Sequence, residues 1–210
     1  MQDFAAVRRQ MVKDHIYARG VRDPAVLAAM SEVAREHFVP KALRAHAYDD
    51  KPLPIAENQT ISQPYIVAFM VEALALERGQ RVLEIGAGSG YAAAVLAATG
   101  VEVFAVERVE ALIATADENL ARAGYGRVTV IHGDGTQGWA REAPFDAILV
   151  SAGGASIPEA LTEQLKIGGR LVIPVGGRRG QKLARVIRTS EWVFDRENIA
   201  QVFFVPLISS

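Results

Sequence analysis

The run Leu83-Glu84-Ile85-Gly86-Ala87-Gly88-Ser89-Gly90-Tyr91 leaves an apolar stretch and enters a helical pattern, with an acid two residues ahead of its first glycine. Glycines let a backbone pass close under a ligand with no Cβ in the way. The spacing is G-x-G-x-G, and Tyr91 stands where a dinucleotide fingerprint needs its third glycine. Glu84 would repel a pyrophosphate but could pair with an ammonium. Glu107 follows 21 residues after Gly86, a separation at which a carboxylate can accept both ribose hydroxyls. Gly133-Asp134-Gly135 comes after a further apolar stretch. There an aspartate can accept from an adenine amino group, or can simply form a turn beside glycines. S-adenosylmethionine offers a ribose, an adenine and a cationic amino-acid end, and it carries no phosphate. An NAD enzyme would share the Glu107 feature, but Tyr91 and Glu84 oppose it.

These residues need elements that bring them to one edge. The spacing predicts strands at Arg81–Ile85, Val101–Val106, Val128–Ile131, Phe145–Val150 and Arg170–Val175. Helices are predicted between them at Tyr91–Ala98, Val109–Arg122 and Pro158–Leu165. Alternating strands and helices with continuous apolar strands predict a parallel sheet covered on both faces. Leu183–Arg188, Trp192–Phe194 and Gln201–Leu207 are strand-like with no helix between them, so an antiparallel edge is expected. The fold class is therefore α/β: a doubly wound, mostly parallel Rossmann-like sheet with antiparallel C-terminal edge strands. Ahead of it, Phe4, Val7 and Met11 recur at helical spacing up to a stop at Gly20. Asp23-Pro24 opens a second helix carrying Val26, Leu27, Met30 and Val33. Residues 1–78 thus read as a helical cap with a covering loop, 79–175 as the binding core and 176–210 as edge strands of one domain.

Composition narrows the partners. The 210 residues carry 23 Lys plus Arg against 24 Asp plus Glu, a net charge of −1, so no global field exists to hold a nucleic acid or an anionic membrane. There are no cysteines, which excludes disulfides and thiolate metal sites. The four histidines show no ligand spacing, and no metal is expected. No segment approaches the apolar length of a membrane span, and the first residues lack a signal-peptide core. A cytoplasmic monomer is the expectation. Trp139 and Trp192 read as packing residues, and Arg178-Arg179-Gly180-Gln181-Lys182 as a hairpin tip.

With Leu165-Lys166-Ile167-Gly168-Gly169-Arg170-Leu171-Val172 as a helix–Gly-Gly–strand connection, residues 79–175 resemble a class I S-adenosylmethionine-dependent methyltransferase. Upstream stand Phe38-Val39-Pro40, Tyr48-x-Asp50, Pro52-Leu53-Pro54-Ile55 and Gln59-Thr60-Ile61-Ser62-Gln63-Pro64. Downstream stand Gly138-Trp139, Ala143-Pro144-Phe145-Asp146-Ala147-Ile148 and Phe204-Val205-Pro206-Leu207. In this order and spacing they resemble the protein-L-isoaspartate O-methyltransferase family over nearly the whole chain.

That resemblance implies methyl transfer from S-adenosylmethionine to the carboxylate of L-isoaspartyl, and also D-aspartyl, residues in damaged proteins and peptides. The ester would then close to a succinimide, the start of repair. It implies Ser62 as the catalytic hydroxyl, with Gln59, Thr60, Ile61 and Ser62 over the cofactor. Glu84, Gly86, Gly88, Glu107, Arg108, Asp134 and Gly135 would contact it. A carboxylate with a pKa near 4 needs no general base. A neutral hydroxyl can orient it without over-stabilising the ground state of an anion–cation reaction. On local sequence alone Ser62 reads first as a cap for a helix over Gln63–Leu76, a role it could hold together with the other.

The sequence departs from the family pattern at three places. Ala56-Glu57-Asn58 replaces glycines between Ile55 and Gln59. Ser151-Ala152-Gly153-Gly154-Ala155 is richer in glycine, which predicts mobility. Phe203 stands where arginine is common. The first two motivate an alternative, a methyltransferase of this fold acting on a different carboxylate. A non-catalytic module that keeps the cofactor fold is the other.

Overall fold

Asp3 caps α1 (Phe4–Met11), accepting from the Ala6 amide at 3.0 Å. Asp23 caps α2 (Pro24–Glu32), accepting from the Ala25 and Val26 amides at 2.8 and 3.0 Å. Each carboxylate satisfies N–H groups that a first helical turn leaves unpaired. The computed structural model describes residues 3–177 and 180–209. The third helix differs from expectation. α3 (Pro64–Ala73) is capped by the extended Gln63 with no side-chain bond, so Ser62 is not its cap, and the helix stops before Leu76. Pro64 supplies the fixed first-turn φ and needs no N–H partner there.

Two strands of two residues, β1 (Leu53–Pro54) and β2 (Thr60–Ile61), pair antiparallel and close the hairpin that carries Gln59 and Thr60. The main sheet holds β3 (Arg81–Ile85), β4 (Glu102–Glu107), β5 (Thr129–His132), β6 (Phe145–Val150), β7 (Leu165–Gly177), β8 (Gly180–Arg188) and β9 (Phe194–Val202). Their order is β5-β4-β3-β6-β7-β8-β9, parallel as far as β7 and antiparallel across the last two pairings. Helices α4 (Tyr91–Ala98), α5 (Glu110–Arg122) and α6 (Glu159–Glu163) make the crossovers. β3 leads outward to β4 and β5, and the chain then returns to place β6 on the other side of β3. The sheet therefore reverses direction between β3 and β6, where an open α/β sheet leaves a crevice beyond its strand ends.

Both sheet faces are buried, which is why the central strands read as continuous apolar runs. Val82, Val103, Ala105, Ala147 and Val172 pack with α3, α4 and the N-terminal helices. Leu83, Ile85, Val106, Ile148 and Leu171 pack with Leu161 of α6, Trp139 and Leu207. Among the described residues, no helix is long and apolar enough to cross a membrane.

Three local expectations change. Gly168 and Gly169 lie inside the irregular start of β7, because the strand begins at Leu165 opposite Phe145. The two strand-like stretches near the C-terminus become the single β9, and residues 203–207 leave the strand. Trp192 is 76% exposed and so is not a packing residue. The hairpin tip is formed by Gly177 opposite Gly180, with Arg178 and Arg179 outside the described residues.

Candidate active site

Gly86, Gly88 and Gly90 have φ of 88°, 54° and 87°, a left-handed path that a Cβ would resist. Gly90 is doubly required, since a Cβ there would sit 3.0 Å from Leu120 Cγ on α5. The loop is stitched to its neighbours. The Gly86 amide donates to the Val106 carbonyl at 2.8 Å, and the Ser151 amide donates to the Ile85 carbonyl at 2.8 Å. Glu107, at the end of β4, accepts from the Gly88 amide through Oε2 and from the Val109 amide through Oε1, both at 2.8 Å. It braces the loop and keeps further lone pairs on each oxygen.

Glu84 is 1% exposed. Its Oε1 accepts from the Ser151 hydroxyl at 3.2 Å, and its Oε2 is buried without a hydrogen-bond partner. Burial raises its carboxyl to about 8, opposed by the Ser151 hydroxyl and the Ala93 backbone N–H and reinforced by the Glu107 carboxylate. An unpaired buried carboxylate oxygen beside a glycine cradle is what a cationic ligand group would satisfy. The residues present therefore fit the ammonium end of S-adenosylmethionine.

The crevice beyond β3, β4 and β6 continues into two adjoining hollows. The main one is lined by Gln59, Thr60, Gly86, Gly88, Glu107, Arg108 and Gly135, and on its far side by Val205 to Ile208. A smaller one, lined by Thr60, Ile61, Ser62, Glu84, Gly86, Gly88 and Ser151, leads toward α4. A groove beside these is bordered by Ser62, Ile66, Phe203 and Phe204 and shares Thr60 and Ser151 with both. Ser62 stands at the junction, half-buried, and its hydroxyl makes no hydrogen bond among the described residues.

Each predicted site residue except Asp134 lines this composite cleft. Asp134 sits on the turn behind Gly135. Its Oδ1 accepts from the Thr136 amide at 2.8 Å and the Thr136 hydroxyl at 2.7 Å, which is the turn-forming reading of that residue. Sequence reasoning did not single out Ser151 or Val205–Ile208 as parts of the cleft, nor Gln181 as the residue that holds Phe204 beside it. Ser151 was accessible in principle, as the residue after a buried strand that must neighbour β3.

The glycine-rich loop at Gly153-Gly154 is tied by hydrogen bonds to the C-terminal segment. The Gly153 amide donates to the Val205 carbonyl at 2.7 Å, and the Leu207 amide donates back to the Gly153 carbonyl at 2.8 Å. The Gln181 amide group binds the Phe204 backbone twice, donating to its carbonyl at 3.1 Å and accepting from its N–H at 2.7 Å. A Cβ on Gly153 would stand 2.2 Å from Gln181 Nε2. Glycine is there for close approach rather than for motion. On the opposite wall, Glu57 and Asn58 form the hairpin tip with φ of 57° and 54°, and the Gln59 amide donates to the Ala56 carbonyl at 3.1 Å. Two left-handed residues in a two-residue turn suit the twist of paired strands. The loop keeps a glycine-like path while carrying a glutamate.

A switch-point crevice with a G-x-G-x-G loop, a buried acid before it and a second acid at the end of β4 defines a class I S-adenosylmethionine-dependent methyltransferase. Residues 6–210 match the profile of the family protein-L-isoaspartate(D-aspartate) O-methyltransferase. A protein-L-isoaspartate O-methyltransferase 1 from Rhodopseudomonas palustris strain HaA2 is 58% identical over 206 residues, 98% of this chain and 84% of that protein. A solved protein-L-isoaspartate O-methyltransferase superposes with a TM-score of 0.84 at 30% identity, covering 94% of this chain and 65% of its own. A Plasmodium falciparum structure in complex with S-adenosyl-L-homocysteine superposes with a TM-score of 0.82 at 26% identity, covering 97% and 99%. The chain belongs to the protein-L-isoaspartate O-methyltransferase family, and its activity is S-adenosylmethionine-dependent methylation of isoaspartyl residues.

Proposed function

We propose that Ser62 orients the isoaspartyl carboxylate for this transfer while the acids at the strand ends hold the cofactor. The observation that supports it is the position of the unbonded Ser62 hydroxyl, where the Glu84 hollow and the uncharged groove meet. When bound, S-adenosylmethionine supplies an electrophilic methyl on a sulfonium. Glu84 would hold its ammonium through Oε2, with Ser151 keeping the other oxygen in place. Glu107, which already braces the glycine loop, would accept from the ribose hydroxyls. Gly135 and Arg108 border the adenine end, and Asp134 holds the turn that carries Gly135 there. Gln59, Thr60 and Ile61 close over the cofactor from the β1–β2 hairpin.

No residue need remove a proton, because the attacking carboxylate is ionised at neutral pH. Ser62 donates its O–H to one carboxylate oxygen and leaves the other free to attack in line.

Labelled S-adenosylmethionine and paired peptides, identical except for isoaspartyl against normal aspartyl at one site, test this. Base-labile label on the isoaspartyl peptide alone is expected, and it should fall steeply in Ser62→Ala. Label on another carboxylate, with neither peptide modified, would overturn the substrate assignment.

A further inference from the structure

Beside Ser62 lies a groove whose chemistry differs from everything around it. Pro52, Ile66, Val202 and Phe203 give it apolar walls, Gln63 and Gln201 give it uncharged polar ends, and no charged side chain lines it among the described residues. Phe203 is 80% exposed, an aromatic ring left in water at the rim of the groove. Scattered exposed apolar residues are ordinary. This one sits at the end of β9, with the next residue gripped on both backbone groups by Gln181, so the segment that carries it is held in place. The groove shares Thr60, Ser62 and Ser151 with the cofactor hollows, so whatever fills it is continuous with the reacting carboxylate.

From this we infer that Phe203 and the groove form a subsite for the side chain flanking the isoaspartyl residue, selecting an aromatic or large apolar neighbour over a charged one. The inference rests on the isoaspartyl reading above and adds a determinant of which damaged sites are repaired fastest. An apolar neighbour covers Phe203 and gains contact area. Its ring can meet Phe203 offset or edge-on, which adds to simple burial. A glutamate or lysine there would be stripped of water with no opposite charge in the groove to receive it.

The test uses the full chain and isoaspartyl peptides in which the residue before, and separately the residue after, the damaged site is Phe, Gly, Glu or Lys. At one of the two positions kcat/KM should favour Phe over Glu by on the order of tenfold or more, the scale of one apolar contact in a pocket. In Phe203→Ala that preference should collapse to within about twofold, and Phe203→Tyr, which keeps the ring, should retain it. A flat profile at both positions in the unmodified protein, or a preference unchanged in Phe203→Ala, overturns the subsite. Failure of the underlying reading looks different: no isoaspartyl peptide would be methylated, whatever its neighbours, although the cofactor binds.

Discussion

Around Gly86 and Gly88 the cleft is walled by the carboxylates Glu84 and Glu107 and by amides tied to β4 and β6. Around Phe203 it is walled by apolar and amide side chains with no charge among the described residues. The first region comes from short continuous runs at the ends of adjacent parallel strands. The second is gathered from the β1–β2 hairpin, α3 and the end of β9, more than a hundred residues apart. Burial acts oppositely in the two. In the carboxylate region it raises the Glu84 carboxyl to about 8 and leaves one of its oxygens without a hydrogen-bond partner. In the uncharged region it would penalise any charge brought in. A cofactor that never varies can be met by fixed charges, whereas a substrate that varies from protein to protein is met by shape and apolar contact.

The largest effect is expected at the boundary between the regions. Ser62→Ala should lower kcat on the order of a hundredfold, the scale of losing one positioned donor. Its dissociation constant for S-adenosylmethionine should stay within about twofold, as measured by calorimetry. Equal losses in both would place Ser62 inside the cofactor region and erase the boundary.

Glu84→Gln should weaken S-adenosylmethionine by roughly ten- to a hundredfold, the worth of a hydrogen bond to a charged group. The unliganded protein should at the same time hold or raise its thermal midpoint at pH 8, since a buried carboxylate is removed. The sign with pH follows from a folded-state pKa of about 8 against an ordinary value of 4.5. Between those values the folded protein binds more protons than the unfolded chain, so unliganded stability falls as pH rises from about 4.5 toward 8. Cofactor affinity should rise over the upper part of the same range, by up to about tenfold per pH unit, and level off above it. Glu84→Gln should flatten both dependences, and a pH profile unchanged by the substitution would assign them elsewhere.

Gly153→Ala asks how far the uncharged wall depends on the C-terminal segment. Its Cβ meets the flexible end of Gln181, so the fold should survive while both Gln181–Phe204 bonds are lost. Denaturant unfolding should show about 1–2 kcal/mol lost, and KM for an isoaspartyl peptide should rise more than the cofactor dissociation constant. The reverse order would mean that the segment serves chiefly the cofactor.

The smallest effect is expected at the hairpin tip. Glu57→Gly relieves a left-handed side chain but adds freedom to the unfolded chain, for a net gain of about 0.5 kcal/mol. A loss on urea unfolding would mean that the Glu57 side chain makes up for its backbone.

Much of this is legible in the order of residues. Strand–helix alternation points to the sheet and its parallel core, because burial on both faces leaves continuous apolar runs. The glycine spacing and the acids before and after it point to the cofactor, because close backbone approach and charge complementarity act over a few residues. Ser62 is legible only through its motif. Locally it looks like a helix cap, and the helix instead starts from the extended Gln63 and Pro64. Gly153-Gly154 looks mobile because glycine count reports backbone freedom and not what fills the space beside it.

By itself the sequence determined the fold class, the glycine loop with its acids, and the family, since each is written in neighbouring residues or in a fixed order of motifs. Tertiary structure alone decided that Glu84 keeps an oxygen unpaired, that Gln181 beside Gly153 holds the Phe204 backbone, and that Phe203 faces the groove beside Ser62. The reason is physical: these properties belong to space shared by distant segments, with the register of β3 and β6 setting Ser151 against Glu84 and that of β7, β8 and β9 bringing the C-terminal segment to the cleft.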